Sequence, residues 1–290
     1  MPKAIVPPVM KEALSTVIVI KPYPVISRKI EKYTMRHNSN LNYAWSFGLV
    51  LLLLCGLVSR NLAYECITTN QDLLEAISEY MQDPYNPSRS VCKLYGYPIG
   101  SWCVDQLQDF SNAFAVTSPP DPNQPVIPID ISDWNMQNAT TTKNIFRGAY
   151  MFAIQLGDDW DLSNLEDASY MFSGAQFNLP SFYNPVSIGN WNMSNVKNTA
   201  YMFVNSDFND AQISAWDLSS VNEASGMFSG SAMSQNLCPM GSTMNPNAAV
   251  NGMFSYSQCP VTSNPSFQTK PPGPFCQECS STGSLRRRQK

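Results

Sequence analysis

The chain holds one histidine, His37, and it precedes the only long apolar run in the 290 residues. Beyond that run, Ser-His-Asp and Cys-His nucleophile systems and histidine-ligated metal centres are excluded, because each needs an imidazole as base or ligand. The cysteines offer a second chemistry. Cys276-Gln-Glu-Cys279 has the spacing of a redox dithiol or half a zinc site, yet it has no second such motif and follows the loop-forming run Pro271-Pro272-Gly273-Pro274. Carboxylate pairs, Asp158 with Asp159 and Glu166 with Asp167, are the remaining candidates for acid–base work. Adjacent acids usually form solvated corners, and no nucleophile or glycine-rich phosphate loop accompanies these. Asp133, Asp159, Asp161 and Asp217, beside tryptophans, could coordinate calcium, but turn positions are the simpler reading. The expectation is a protein without catalytic residues, metal or cofactor.

Seven of the eight cysteines lie after the apolar run, as suits an oxidising compartment. Pairing neighbours around structural ends joins Cys92 to Cys103, Cys238 to Cys259 and Cys276 to Cys279, leaving Cys66 unpaired or open to self-association; the sequence alone allows many other pairings. The sequons at Asn138 and Asn192 are acceptors for N-glycosylation in a eukaryotic secretory pathway, whereas those at Asn86 and Asn264 are blocked by proline.

Only 14% of residues are charged, against a usual ~25%, so the surface must be built from Asn, Ser, Thr and Gln. Residues 1–43 hold seven Lys or Arg against two acids; residues 64–285 hold six against twenty. A field that acidic repels phosphate, so nucleic acid is excluded as a partner. Between the two regimes, 41–60 carries one charge, Arg60, and centres on an apolar run that begins near Tyr43 and Trp45, the pattern of a transmembrane signal-anchor. The expected organisation is a basic cytoplasmic segment over 1–40, a membrane span over 41–60, a capping helix and linker over 64–93, a repeat array over 94–259 and a tail over 260–290. This describes a single-pass type II membrane protein with its ectodomain outside or in the secretory lumen, or less simply a secreted one.

The elements that must position any site come from an internal repeat. Trp102, Trp134, Trp160, Trp191 and Trp216 are each followed twelve residues later by a phenylalanine: Phe114, Phe146, Phe172, Phe203 and Phe228. Apolar residues recur two and five positions after each Trp, and isoleucine three before it, except at Gly157. A sixth unit, without a Trp, ends at Phe254. Trp and the apolar residue two later share a strand face. The following apolar residues at three-residue spacing suit a short helix, with capping boxes at Ser163/Glu166 and Ser220/Glu223. Such units cannot bury their apolar faces singly, so they must stack, with Trp and Phe as core. Thr69-Asn70, followed by Leu73, Leu74, Ile77 and Met81 at helical spacing, predicts an amphipathic capping helix over 71–81.

The runs Asp159-Trp160-Asp161-Leu162-Ser163-Asn164-Leu165 with Tyr170-Met171-Phe172, and Asn190-Trp191-Asn192-Met193-Ser194-Asn195-Val196 with Tyr201-Met202-Phe203, resemble the repeat of the BspA-type leucine-rich-repeat surface proteins. The resemblance covers roughly 94–259. It implies an α/β repeat fold, a leucine-rich-repeat-like solenoid of about six units, displayed on cell surfaces, linked to adhesion and without a catalytic site. The functional expectation is extracellular recognition or adhesion through a protein or glycan ligand, a basic partner suiting the acidic array, with a structural coat component as the alternative.

Overall fold

The computed structural model of the chain describes residues 64–116, 129–151, 154–158, 160–177 and 187–280. All fall in the second of the two units into which the chain divides, Leu52–Lys290; the first, Met1–Leu51, holds none of them.

Helix α1, Asn70–Gln82, opens where the Thr69 hydroxyl oxygen accepts a hydrogen bond from the Asp72 amide at 3.1 Å, satisfying one of the first-turn donors. Its apolar side buries Leu73, Ala76, Ile77 and Tyr80. The Asn70 side-chain amide donates to the carbonyls of Asp109 and Ser111 at 3.1 and 3.0 Å, covering backbone acceptors on the open edge of the first repeat unit. A short helix α2, Ser90–Tyr95, leads through a 3-10 turn, Ile99–Ser101, into that unit.

From there the chain stacks unit on unit. Single-residue parallel bridges run Asp109 to Thr141, Asp167, Asn198, Glu223 and Ala249, one residue from each unit. The regular sheet is confined to β1, Ile129–Asp130, paired in parallel with β2, Ile154–Gln155. Around each phenylalanine the backbone donates sideways. The amides of Phe114, Phe146, Phe172, Phe203 and Phe228 bond to the carbonyls of Ile145, Met171, Met202, Met227 and Met253 in the next unit at 2.8–3.0 Å.

That bonding overturns the leucine-rich-repeat-like solenoid of strand, turn and short helix. The described residues hold three α-helices, α1, α2 and α3 (Met240–Thr243), and one two-stranded sheet, and in the five tryptophan-bearing units none of the helices lies between Trp and Phe. The reason is in the backbone. Two residues before each phenylalanine, Asn112, Asn144, Tyr170, Tyr201, Gly226 and Gly252 all have φ between 55° and 63°, a left-handed conformation that stops a right-handed helix. Amides that a helix would bond to the carbonyl four residues back go to the neighbouring unit instead. Ser163 and Ser220 therefore cap no helix.

The core is a column of rings. Phe114, Phe146, Phe172, Phe203, Phe228 and Phe254 stack with successive centroids 5.8, 5.5, 5.3, 5.4 and 5.4 Å apart and planes within 15°. Such a pair contributes about 0.5–1.5 kcal/mol beyond area burial. Trp102, Trp134, Trp160, Trp191 and Trp216 are buried beside them. Their indole nitrogens reach back along the array: Trp102 donates to Gly96 O, Trp134 to Ile99 O, Trp160 to Ser132 O, Trp191 to Gly157 O and Trp216 to Ile188 O, at 2.9–3.3 Å. Gly157, the exception in the isoleucine column, is explained by its own unit: a Cβ there would stand 2.3 Å from Trp160 Cδ1.

The disulfides are Cys66–Cys103, Cys238–Cys279 and Cys259–Cys276, none of the pairs expected from neighbours in sequence. Residues before α1 run beside the first unit, where the Ile67 amide donates to Cys103 O at 2.8 Å, and this brings Cys66 to Cys103. Residues 260–280 fold back on the last unit, with Val261 N bonded to Cys276 O and Phe275 edge-on to Phe254, so each cysteine of the CxxC motif meets a partner across the fold. Cys66 is thus not available for self-association, and Cys92 keeps a buried thiol within α2.

The membrane and type II expectations are corrected as well. No helix among the described residues is long and apolar enough to cross a membrane. The segment 41–60 and the basic segment 1–40 lie outside the described residues, as does the basic C-terminus from 281.

Candidate functional site

Chemistry on this array must come from what the stacked units leave exposed. Four of the candidate acids, Asp161, Glu166, Asp167 and Asp217, are engaged in turns and in one ion pair. Asp167 accepts from Ser169 N at 2.9 Å, while Glu166 pairs with Lys197 of the next unit at 2.7 Å. Asp161 and Asp217 close turns by accepting from Ser163 N and Ser219 N at 3.0 Å. The Ser163 hydroxyl and amide together hold the Asp161 carboxyl below its usual range. Asp133 and Asp158 are exposed, and Asp159 lies outside the described residues. Among the described residues one grouping has metal-ligand spacing, Cys66, Cys103 and Asp105, and its two sulfurs are bonded to each other.

Four residues after the Trp, a different feature emerges. The exposed side-chain amides of Asn138, Asn164 and Asn195 each donate to a backbone carbonyl of the preceding unit: Asp105 O at 2.7 Å, Gln137 O at 2.8 Å and Ser163 O. In the sixth unit Asn245 turns to the Asn222 side chain at 3.3 Å. Asn164, Asn195, Asn222 and Asn245 border a shallow groove of about 470 Å³ that crosses four units. Asn164 and Glu166 come from the third, Asn195 and Lys197 from the fourth, Ser219, Ser220 and Asn222 from the fifth, and Asn245 from the sixth. Its lining is amide, hydroxyl and one ion pair. Glu166 and Lys197 are each a little over half exposed, so their pairing adds little stability, but it cancels their charge. Within a strongly acidic array, the groove lining carries no net charge.

The two sequons differ in setting. Asn138 is tied by its amide into the row just described. Asn192 is exposed, and its Oδ1 accepts from both the amide and the hydroxyl of Ser194, at 3.1 and 2.7 Å. The asparagine row was the feature the sequence reading passed over. Its signal was there to find: Asn138, Asn164 and Asn195 stand at one fixed offset from their tryptophans.

The fold and the groove define a disulfide-capped protein of stacked repeats with a polar, grooved face. The chain belongs to the family described as Mycoplasma protein of unknown function, DUF285, whose model matches residues 89–182 and 177–259, more than half of the chain. No curated protein and no solved structure matches it.

Proposed function

We propose that the repeat array is a non-catalytic module for extracellular recognition, binding a polar partner along the asparagine-bordered groove. The observation that carries the reading is the groove: exposed amides and hydroxyls from four successive units, set in register by a rigid column of rings. Pre-organised polar groups of this kind bind with little ordering cost. Two further features support it. Three disulfides suit an oxidising, extracellular setting. The Trp-to-Phe motif resembles that of BspA-type surface proteins linked to adhesion. Because the groove lining is neutral, hydrogen bonding and shape are better suited to select the partner than opposite charge.

The test is binding of the purified full chain to extracellular matrix and cell-wall preparations. Saturable binding, competed by excess unlabelled chain and lost in Asn222→Trp with an unchanged melting curve, is the expected result. Binding that ignores groove substitutions overturns the assignment to this face. Concentration-dependent self-association with no saturable partner would favour a structural coat instead.

A further inference from the structure

Resting on that reading, we infer that the groove takes an extended, uncharged β-linked polysaccharide, laid along the array with about one sugar per repeat unit. The argument is one of period. Beside the groove the parallel bridges Thr141–Asp167, Asp167–Asn198 and Asn198–Glu223 set a step of about 4.8 Å from unit to unit, while the rings of the core stand 5.3–5.8 Å apart. A ligand that gains one set of contacts from every unit must advance by the same step.

An extended peptide does not. Its side chains return to one face roughly every 6.7 Å, so it slips by about 2 Å per unit and is out of register within two units. Each pyranose of an extended β-linked glycan advances by nearly the step of the array. It offers hydroxyls on both edges, so the alternate flip of successive sugars does not break the match.

The chemistry of the lining agrees with the spacing. Asn164 and Asn195 have their amide nitrogens bonded to the preceding unit, which fixes the side-chain planes and leaves their carbonyl oxygens for hydroxyl donors. Ser220 supplies a hydroxyl that both donates and accepts, and Asn222, whose Oδ1 receives Asn245, retains amide donors. A polyanion is disfavoured by the surrounding acids, including Asp161 and Asp217 in neighbouring turns. A polycation would gain from those acids but not from the neutral lining itself.

The experiment titrates the full chain with cello- and chito-oligosaccharides of two to six sugars, by calorimetry. Affinity should rise by roughly fivefold per added sugar, as expected for one or two net hydrogen bonds per step, and level off near four sugars, the number of units lining the groove. It should change by less than twofold between low salt and 0.5 M salt, which would weaken a charge-driven complex by orders of magnitude. Asn222→Trp should abolish binding, and Asp133→Trp, at an exposed position of the second unit outside the lining, should leave it intact; melting curves certify that both fold. No binding by any oligomer, or affinity that does not grow with length, overturns the inference. If matrix binding still depends on Asn222 while no oligosaccharide competes, the glycan assignment falls and the recognition reading stands. If matrix binding is also indifferent to Asn222, both fall.

Discussion

The indole nitrogen of Trp191 donates to the carbonyl oxygen of Gly157, 34 residues earlier, at 3.0 Å, and so fastens one repeat unit to its predecessor. Because both groups are buried, removing the donor strands the acceptor away from water. Trp191→Phe should cost about 1–3 kcal/mol through that orphaned carbonyl, and Trp191→Ala about 3–5 kcal/mol once the cavity is added. Urea denaturation of the two variants separates the bond from the packing. A Trp191→Phe variant as stable as the wild type would mean that the hydrogen bond contributes nothing.

Tyr201 and Gly226 form a second coupled pair. Gly226 has φ of +63°, and a Cβ built on it stands 2.4 Å from Tyr201 Cε1, so the ring lies against the glycine. Gly226→Ala should destabilise by about 1–3 kcal/mol, from the left-handed backbone and the overlap together. In the double variant with Tyr201→Ala the overlap is gone, and the combined loss should be less than the sum of the single losses. Strict additivity in thermal melts would show that the ring moves aside without cost.

The fold-back of the C-terminal residues rests on Cys259–Cys276, which closes 17 residues, and on Cys238–Cys279, which closes 41. Replacing Cys259 and Cys276 together by serine should lower stability by roughly 3 kcal/mol. Non-reducing peptide maps should recover the three cross-fold pairs, with Cys92 alkylated only after unfolding because it is buried. Recovery of a Cys276–Cys279 peptide would contradict the structure.

Glu79 and Tyr80 make opposite predictions for pH. Glu79 is held below its usual 4.5, first by the Ser90 hydroxyl, then by the Val91 amide and Arg89. A depressed folded pKa gives stability that is present above the ordinary carboxylate value and is lost as pH falls through the folded one. The melting temperature of the wild type should therefore exceed that of Glu79→Gln at neutral pH, and the gap should close below pH 4.5. Burial pushes the Tyr80 phenol up to about 12 from 10.0. Its contribution is complete below pH 10 and drains away as pH rises toward 12, so Tyr80→Phe should be less sensitive to alkali than the wild type. A gap that persists unchanged into acid would remove Glu79 from this account.

For the sequons, production in a glycosylating secretory host should give a mobility shift that disappears in Asn192→Gln. Glycosylation of Asn138 would compete with the bond from its amide to Asp105 O. A form modified there should melt at a lower temperature than the unmodified chain. If it melts higher, that bond has no structural weight.

Much of the architecture could be read from residue order. The twelve-residue interval from Trp to Phe placed both columns, and each ring in them is buried. Thr69 and the spacing of Leu73, Ile77 and Met81 described a helix that spans Asn70–Gln82. These features depend on local periodicity and on the need to bury apolar faces, both of which are written in neighbouring residues.

What the tertiary structure decided was where each polar group turns. Three-residue apolar spacing is shared by a helix and by the tight turns found here, and the choice between them was made by backbone amides bonding to the next unit, which no single unit contains. Tyr170 and Tyr201 hide the left-handed turns that Gly226 and Gly252 advertise, because their φ of 56° and 55° comes with amides bonded to Ala200 O and Ser225 O of the next unit, at 3.0 Å. The pairing of Cys66 with Cys103 and of Cys238 with Cys279 depends on chain segments folding back over distances that spacing does not encode. The groove has the same origin. Its asparagines are ordinary surface residues in sequence, and they line one groove only when stacking aligns units some 25 to 31 residues apart at one common step.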